Sequence, residues 1–335
     1  MSASGGFRYS VCGLLVEANQ AIPALTPHDA EAHPVSLRIT FGPDPTWPDI
    51  AKPDSSLPFY ASTIVNDDDV PLLRAWTYQR GAFIRLMHDT GADCLVDRSG
   101  AHIWMAWPST AIDPHVFLLE HVIAFVLRLQ GVTCLHAAVV VVGRHATALA
   151  GPPGVGKSML AAALARCGHR VLTDDVAAVD RTDAGFVVHP GPRFVRPRRE
   201  ASPQLRDVLP HPGEWRYSPD GAYVDLVPDR SDYVQALAPA PLAAVWFLVP
   251  RPGQPVVRTE AVRPADAVMR LIGDAWARRL ADRTMRAQEI DQVSEIVGMT
   301  PAWQLLFDPD TQWLIDACRE IEHLAGAATH DRRAS

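Results

Sequence analysis

Gly151-Pro152-Pro153-Gly154-Val155-Gly156-Lys157-Ser158 is the stretch on which the fold turns. Of the 31 basic side chains in the chain, all but Lys52 and Lys157 are arginine. A phosphate-binding loop needs glycines that let consecutive N–H groups face the phosphates, a compact ammonium for the β and γ oxygens, and a hydroxyl for Mg²⁺. Arginine's rigid planar fork does not replace that ammonium, so a lysine here is informative in a chain that otherwise uses arginine. The octet reads as a P-loop and predicts binding of a nucleoside triphosphate through Gly151, Gly154, Val155, Gly156, Lys157, Ser158 and Met159.

A P-loop works only between a buried strand and a helix N-terminus, and both are readable. Upstream, Val139 to Val142 and Ala146 to Ala150 flank Gly143-Arg144-His145, predicting a hairpin that feeds Gly151. Downstream, Met159 to Cys167 is alanine-rich and free of breakers until Gly168, predicting a helix with a glycine C-cap. Its dipole points the positive end at the loop.

Working outward, 335 residues and 48% apolar content suffice for one large or two modest domains. A net charge of −7 argues against a nucleic-acid footprint. The five cysteines, Cys12, Cys94, Cys134, Cys167 and Cys318, are scattered without metal-ligand spacing, which suits a reducing compartment. No secretory signal is legible, and Val116 to Leu129, the most apolar run, is shorter than a bilayer span and carries Glu120, His121 and Arg128. The expectation is a cytoplasmic protein without membrane association.

Residues 1–112 predict a β-rich accessory domain, with runs at Tyr9 to Val16, Val35 to Phe41, Ala82 to Met87 and His102 to Trp107. Gly42 to Pro58 holds five prolines and reads as a loop. A helix within 113–131, capped at Asp113-Pro114 and stopped at Gly131, connects to a nucleotide-binding domain over 132–326, followed by a flexible tail, 327–335. Further strands are expected at Phe186 to His189, Phe194 to Arg196, Ala222 to Val227, Ala243 to Val249 and Trp303 to Phe307. Helices are expected at Pro264 to Ile272, Asp274 to Val297 and Asp310 to Leu324.

His169 to Val176 reads as a short strand ending in Asp174-Asp175, where a second Mg²⁺ ligand or a base is needed beside the P-loop serine. Adjacent residues on a strand point to opposite sides, so one aspartate faces the metal while its neighbour serves another role. Taken alone, such a pair also fits a solvated turn. The arginines Arg193, Arg196, Arg198 and Arg199 fit either a phosphate clamp or a salt-bridged surface, and Arg278 and Arg279 fit a structural role on a helix.

Taken in order, Leu135-His136-Ala137-Ala138-Val139, Gly151 to Ser158, and Gly168-His169-Arg170-Val171-Leu172-Thr173-Asp174-Asp175 resemble the bacterial HPr kinase/phosphorylase family. Pro190-Gly191-Pro192-Arg193 and the apolar strand after Pro241-Leu242 are similar to divergent HPr-kinase-like proteins associated with lasso-peptide biosynthesis, some of them peptide serine kinases. The resemblance implies an α/β HPr-kinase-like P-loop core with a mixed sheet, beside the smaller β-rich N-terminal domain. It implies an ATP-dependent, Mg²⁺-assisted kinase acting on a serine or related hydroxyl of a peptide or small protein, and a homo-oligomer. In that scheme Lys157 holds the phosphates, Ser158 and Asp175 hold Mg²⁺, Asp174 accepts the hydroxyl proton, and His136 tunes it. Without the resemblance, His136 reads as a core histidine.

The sequence also departs from that family. Pro152 and Pro153 stand at loop positions where the family has polar residues, which removes amide donors. Counterparts of the family's Glu-Ile-Arg-Gly-Leu-Gly and Pro-Gly-Arg-Asn segments are absent from the sequence, which argues against HPr as substrate and against the phosphorylase reaction. A small-molecule kinase of the same fold and a nucleotide-binding regulatory protein remain as alternatives. A transport ATPase lacks its Leu-Ser-Gly-Gly-Gln type signature.

Overall fold

The computed structural model describes residues 6–22, 24–28, 34–42, 47–50, 52–106, 117–195, 215–218, 221–225, 235–253, 256–274, 280–309 and 313–331, with backbone alone for 26, 215–218, 221–225 and 326–331. The chain divides into two compact units, Met1–Val132 with Ala277–Arg286, and Thr133–Trp276 with Ala287–Ser335.

The first unit is built on nine described strands: β1 (Phe7–Val11), β2 (Leu14–Ala18), β3 (Thr26–Pro27), β4 (Leu37–Phe41), β5 (Tyr60–Ala61), β6 (Leu73–Tyr78), β7 (Phe83–His88), β8 (Asp93–Asp97) and β9 (His102–Ala106). They form one sheet in the order β3-β1-β2-β4-β9-β8-β7-β6-β5. Leu37, Ile39 and Phe41 of β4 are buried while Arg38 between them is exposed, the period-two alternation of a sheet with one covered face. The run Tyr9 to Val16, expected as one strand, is a hairpin. Cys12 and Gly13 both take positive φ, 53° and 80°, which turns the chain within the apolar run. A π-helical turn, Phe117–Val122, leads into α1 (Ile123–Leu129). Its end at Gly131, φ 79°, is as expected, whereas the Asp113-Pro114 cap lies outside the described residues.

In the second unit, β10 (Thr133–Val142) and β11 (His145–Ala150) form the expected hairpin. After α2 (Lys157–Arg166) come β12 (Arg170–Thr173), β13 (Val176–Thr182), β14 (Gly185–Val188) and β15 (Phe194–Val195). Then follow β16 (Trp215–Ser218), β17 (Gly221–Asp225), β18 (Ala240–Pro250), β19 (Arg258–Ala261), α3 (Pro264–Gly273), α4 (Arg283–Met299), β20 (Ala302–Phe307) and α5 (Trp313–Asp331). The sheet is mixed. β11, β18 and β20 run parallel, and β10, β13, β14 and β19 join antiparallel. β15, β17 and β16 form a separate small sheet.

Alternation along β10 builds a core on both faces. Ala138 and Val140 pack with Leu160 and Leu164 of α2 and Trp313 and Ile321 of α5. Ala137, Val139 and Val141 join Leu271 of α3 and Val293 and Ile296 of α4. Removing a fully buried leucine such as Leu164 is expected to cost about 2–5 kcal/mol.

Three expectations change. The helix expected from Asp274 starts at Arg283, where the Asp282 carboxylate accepts the Met285 amide at 2.9 Å as an N-cap. Residues 275–279, with Arg278 and Arg279, lie outside the described set, as do Arg196, Arg198 and Arg199. The last helix keeps its backbone regular through Asp331, within the segment expected as a tail. Finally, His169 to Val176 is not one strand: β12 and β13 lie consecutively along β10, with Asp174 and Asp175 in a turn between them.

Candidate functional site

β11 delivers the chain to Gly151 at φ 139°, where a Cβ would meet Val155 Cγ1 at 3.1 Å and the Leu248 carbonyl at 3.3 Å. Gly156, at φ 108°, is the residue before α2, and a Cβ there would meet the Trp313 ring at 3.2 Å. Both positions therefore need glycine for their backbone angle and for close approach. Trp313 itself stacks on Phe307, ring centroids 3.9 Å apart, so the loop rests on an aromatic pair from β20 and α5. The Pro152 carbonyl accepts the Val155 amide at 3.2 Å, closing the turn.

Lys157 is buried, and its ammonium donates to the Gly151 carbonyl at 2.8 Å and the Pro152 carbonyl at 3.4 Å. The ammonium is thereby folded over the cradle of loop amides at the positive end of α2. The helix closes at its other end as expected. The His169 amide reaches the Leu164 carbonyl at 3.1 Å and Gly168 takes φ 93°, a Schellman-type stop.

The aspartate pair sits beside the start of α2. Ser158 Oγ donates to Asp174 Oδ1 at 3.0 Å, and Asp174 is buried. Asp175 Oδ1 lies 3.0 Å from His136 Nε2, and its side chain keeps 29% exposure. The His136 Nδ1 faces the Asp274 carbonyl at 3.0 Å, at the end of α3. A carbonyl only accepts, so His136 Nδ1 is the donor to Asp274 and Nε2 is the ring nitrogen that faces Asp175. The pairing thus differs from the expected one: Ser158 meets Asp174, and His136 meets Asp175.

The reason is local. The Val176 amide donates to the Asp174 carbonyl at 2.9 Å across Asp175, whose φ is 71°: a γ-turn of the rare positive-φ kind. The turn replaces strand alternation, so one carboxylate turns inward to the serine and the other outward to the histidine. Sequence reading missed Asp274, whose backbone oxygen orients His136, and Trp313 under the loop. Asp274 carries no side-chain signal, because its contribution is a carbonyl.

Ser158 and Asp174 offer two hard oxygen donors side by side, which suits Mg²⁺, an ion that binds through one or two protein oxygens plus phosphates and water. Among the described residues, no group of three or more His, Cys, Asp or Glu side chains could hold a metal ion.

Residues 130–182, the segment from the end of α1 through β13 that carries the loop and both aspartates, match the family described as Magnesium chelatase, subunit ChlI. No curated protein matches the chain. The solved structure of the HPr(Ser) kinase/phosphatase from Coxiella burnetii is similar at 15% identity and a TM-score of 0.32, over 60% of this chain and 97% of that one. Among the described residues, no helix is long and apolar enough to cross a membrane. The second unit is a mixed α/β fold whose sheet hands a P-loop to the start of α2, with a serine–aspartate pair and an aspartate–histidine pair beside it.

Proposed function

We propose that the chain is an ATP-dependent, Mg²⁺-assisted kinase that transfers the γ-phosphoryl group to a serine or related hydroxyl of a peptide or small protein. The single observation that carries this reading is the two-sided aspartate turn, with Asp174 on Ser158 and Asp175 on His136. A nucleotide-binding loop alone needs only the first pair. A second carboxylate, held by a histidine and open to solvent, supplies what hydroxyl activation adds.

In this reading the amides of Gly154 to Ser158 and the Lys157 ammonium hold the β and γ phosphates, with Lys157 leaving the Gly151 carbonyl to do so. Ser158 and Asp174 hold Mg²⁺, which when bound neutralises charge on the transferring group. Asp175 accepts the proton of the acceptor hydroxyl, and His136, fixed by the Asp274 carbonyl, steadies the carboxylate during that exchange. The roles of Asp174 and Asp175 are therefore the reverse of those the resemblance implies.

A second reading, a nucleotide-binding regulatory protein without efficient transfer, draws on Pro152 and Pro153, whose missing amides shorten the phosphate cradle. Intact-mass spectrometry of peptide and small-molecule hydroxyl acceptors, incubated with ATP and Mg²⁺, separates the readings. The kinase reading expects a phosphate-sized mass gain that Asp175→Asn abolishes while keeping Mg²⁺-nucleotide binding, and Asp174→Asn is expected to weaken that binding. Asp174→Asn retaining binding while Asp175→Asn loses it would restore the family-implied roles. Tight nucleotide binding with no product on any acceptor would support the regulatory reading.

A further inference from the structure

The positive-φ turn at Asp175 puts a residue with a Cβ at a left-handed angle, which is strained. Three residues outside the described site close around it. Thr173 is fully buried, and its Oγ1 donates to the Val176 carbonyl at 2.7 Å, spanning the two aspartates from one strand end to the next. Gly191 packs directly on that hydroxyl. A Cβ at position 191 would lie 1.9 Å from Thr173 Oγ1 and 2.6 Å from Thr173 Cβ, so any other residue there displaces the threonine.

Gly191 is itself tied on both sides. Its amide donates to the Leu172 carbonyl at 2.9 Å, and its carbonyl accepts the Gln235 side-chain amide at 2.8 Å. Gln235 is buried and is anchored next to β12, where the following amide of Ala236 donates to the Val171 carbonyl at 2.8 Å. The chain of contacts therefore runs from Gln235 to Gly191 to Thr173 to the turn, with each link buried and each fixing the next.

We propose that Thr173, Gly191 and Gln235 are positioning residues that hold the Asp174–Asp175 turn in its positive-φ form, so that one carboxylate faces Ser158 while the other faces His136. If the hydroxyl of Thr173 is removed, the turn relaxes toward an ordinary strand, Asp175 leaves His136, and Asp174 loses its fixed approach to Ser158. The brace acts through the carboxylates and touches neither nucleotide nor acceptor. Its functional consequence rests on the kinase reading above, whereas its geometric consequence does not.

The test compares Thr173→Val, which keeps shape and loses the hydroxyl, with Thr173→Ser, which restores it. Ring-nitrogen NMR at one fixed pH, with the His136 signals assigned by their loss in His136→Gln, reads the Asp175 contact directly. Thr173→Val is expected to move those signals to the positions seen in Asp175→Asn, and Thr173→Ser to leave them in place. In the same variants, Mg²⁺-dependent nucleotide affinity is expected to fall about tenfold in Thr173→Val, the size of one lost hydrogen bond, with Mg²⁺-free affinity unchanged. Should Thr173→Val fail to fold, Gln235→Leu cuts the outer tie with Thr173 in place and is expected to shift the His136 signals in the same direction. Unmoved His136 signals in a folded Thr173→Val or Gln235→Leu protein overturn the brace. Wild-type protein that binds no nucleotide overturns the kinase reading instead, and the NMR result still decides the brace.

Discussion

Two turns meet at the start of α2, and they solve the same steric problem by opposite means. The P-loop takes its positive-φ angles at Gly151, Gly154 and Gly156, which have no Cβ to strain. The β12–β13 turn takes its positive φ at Asp175, which does, and leans on Thr173, Gly191 and Gln235. One turn is specified by its own residues. The other carries a Cβ where geometry prefers glycine, and its contacts reach along the chain as far as Gln235.

Lys157→Ala bears on the self-specified turn and carries the largest expected effect. Loss of charge-assisted phosphate contacts is expected to weaken nucleotide binding about a hundredfold in calorimetry, with the fold retained. Gly156→Ala comes next. A Cβ at φ 108° and 3.2 Å from Trp313 is expected to lower stability by about 1–3 kcal/mol in denaturant titration, and an unchanged midpoint breaks the claim that glycine is required there.

The braced turn is tested by a pair of variants. Asp175→Gly is expected to be more stable than Asp175→Ala by about 1 kcal/mol, since only alanine retains the left-handed penalty, while both abolish transfer. Equal stabilities would show that the turn relaxes freely and that the contrast between the two turns is false.

Asp282 supplies a carboxylate engaged locally, as the N-cap of α4. The Met285 amide, ahead of the neighbouring Arg98, holds its pKa below the ordinary 3.8. A carboxyl depressed in the folded state stabilises above its unfolded pKa, and that contribution fades as pH falls from 3.8 through the folded value. Asp282→Ala is accordingly expected to cost about 1 kcal/mol at neutral pH and to lose that difference under acid, as followed by thermal unfolding at several pH values.

The same contrast explains what the sequence made legible. The loop, its strand, its helix and the Gly168 stop could be read because each is enforced by residues next to one another. The two aspartates were legible too, but which of them meets Ser158 and which meets His136 was not, since alternation along a strand is not the geometry of a γ-turn. The hairpin at Cys12-Gly13 hid for a similar reason: cysteine is not a usual turn residue, and the apolar run passes through it unbroken. β6 and β8 were missed where Arg74, Thr77 and Asp93 interrupt the apolar pattern, although Leu73, Ala75, Leu95 and Val96 are buried. The positions of Gly191 and Gln235 relative to Thr173 follow from tertiary packing alone.

The hydrogen bond from His136 to the Asp274 carbonyl joins residues 138 positions apart. On loop-closure grounds, closing so long a stretch is expected to follow the β10–β11 hairpin and α2, whose contacts are local. The Gly156 turn lies against Trp313, so the support of the P-loop also closes over a long stretch of chain. Nucleotide that binds the completed fold draws such closures forward by mass action.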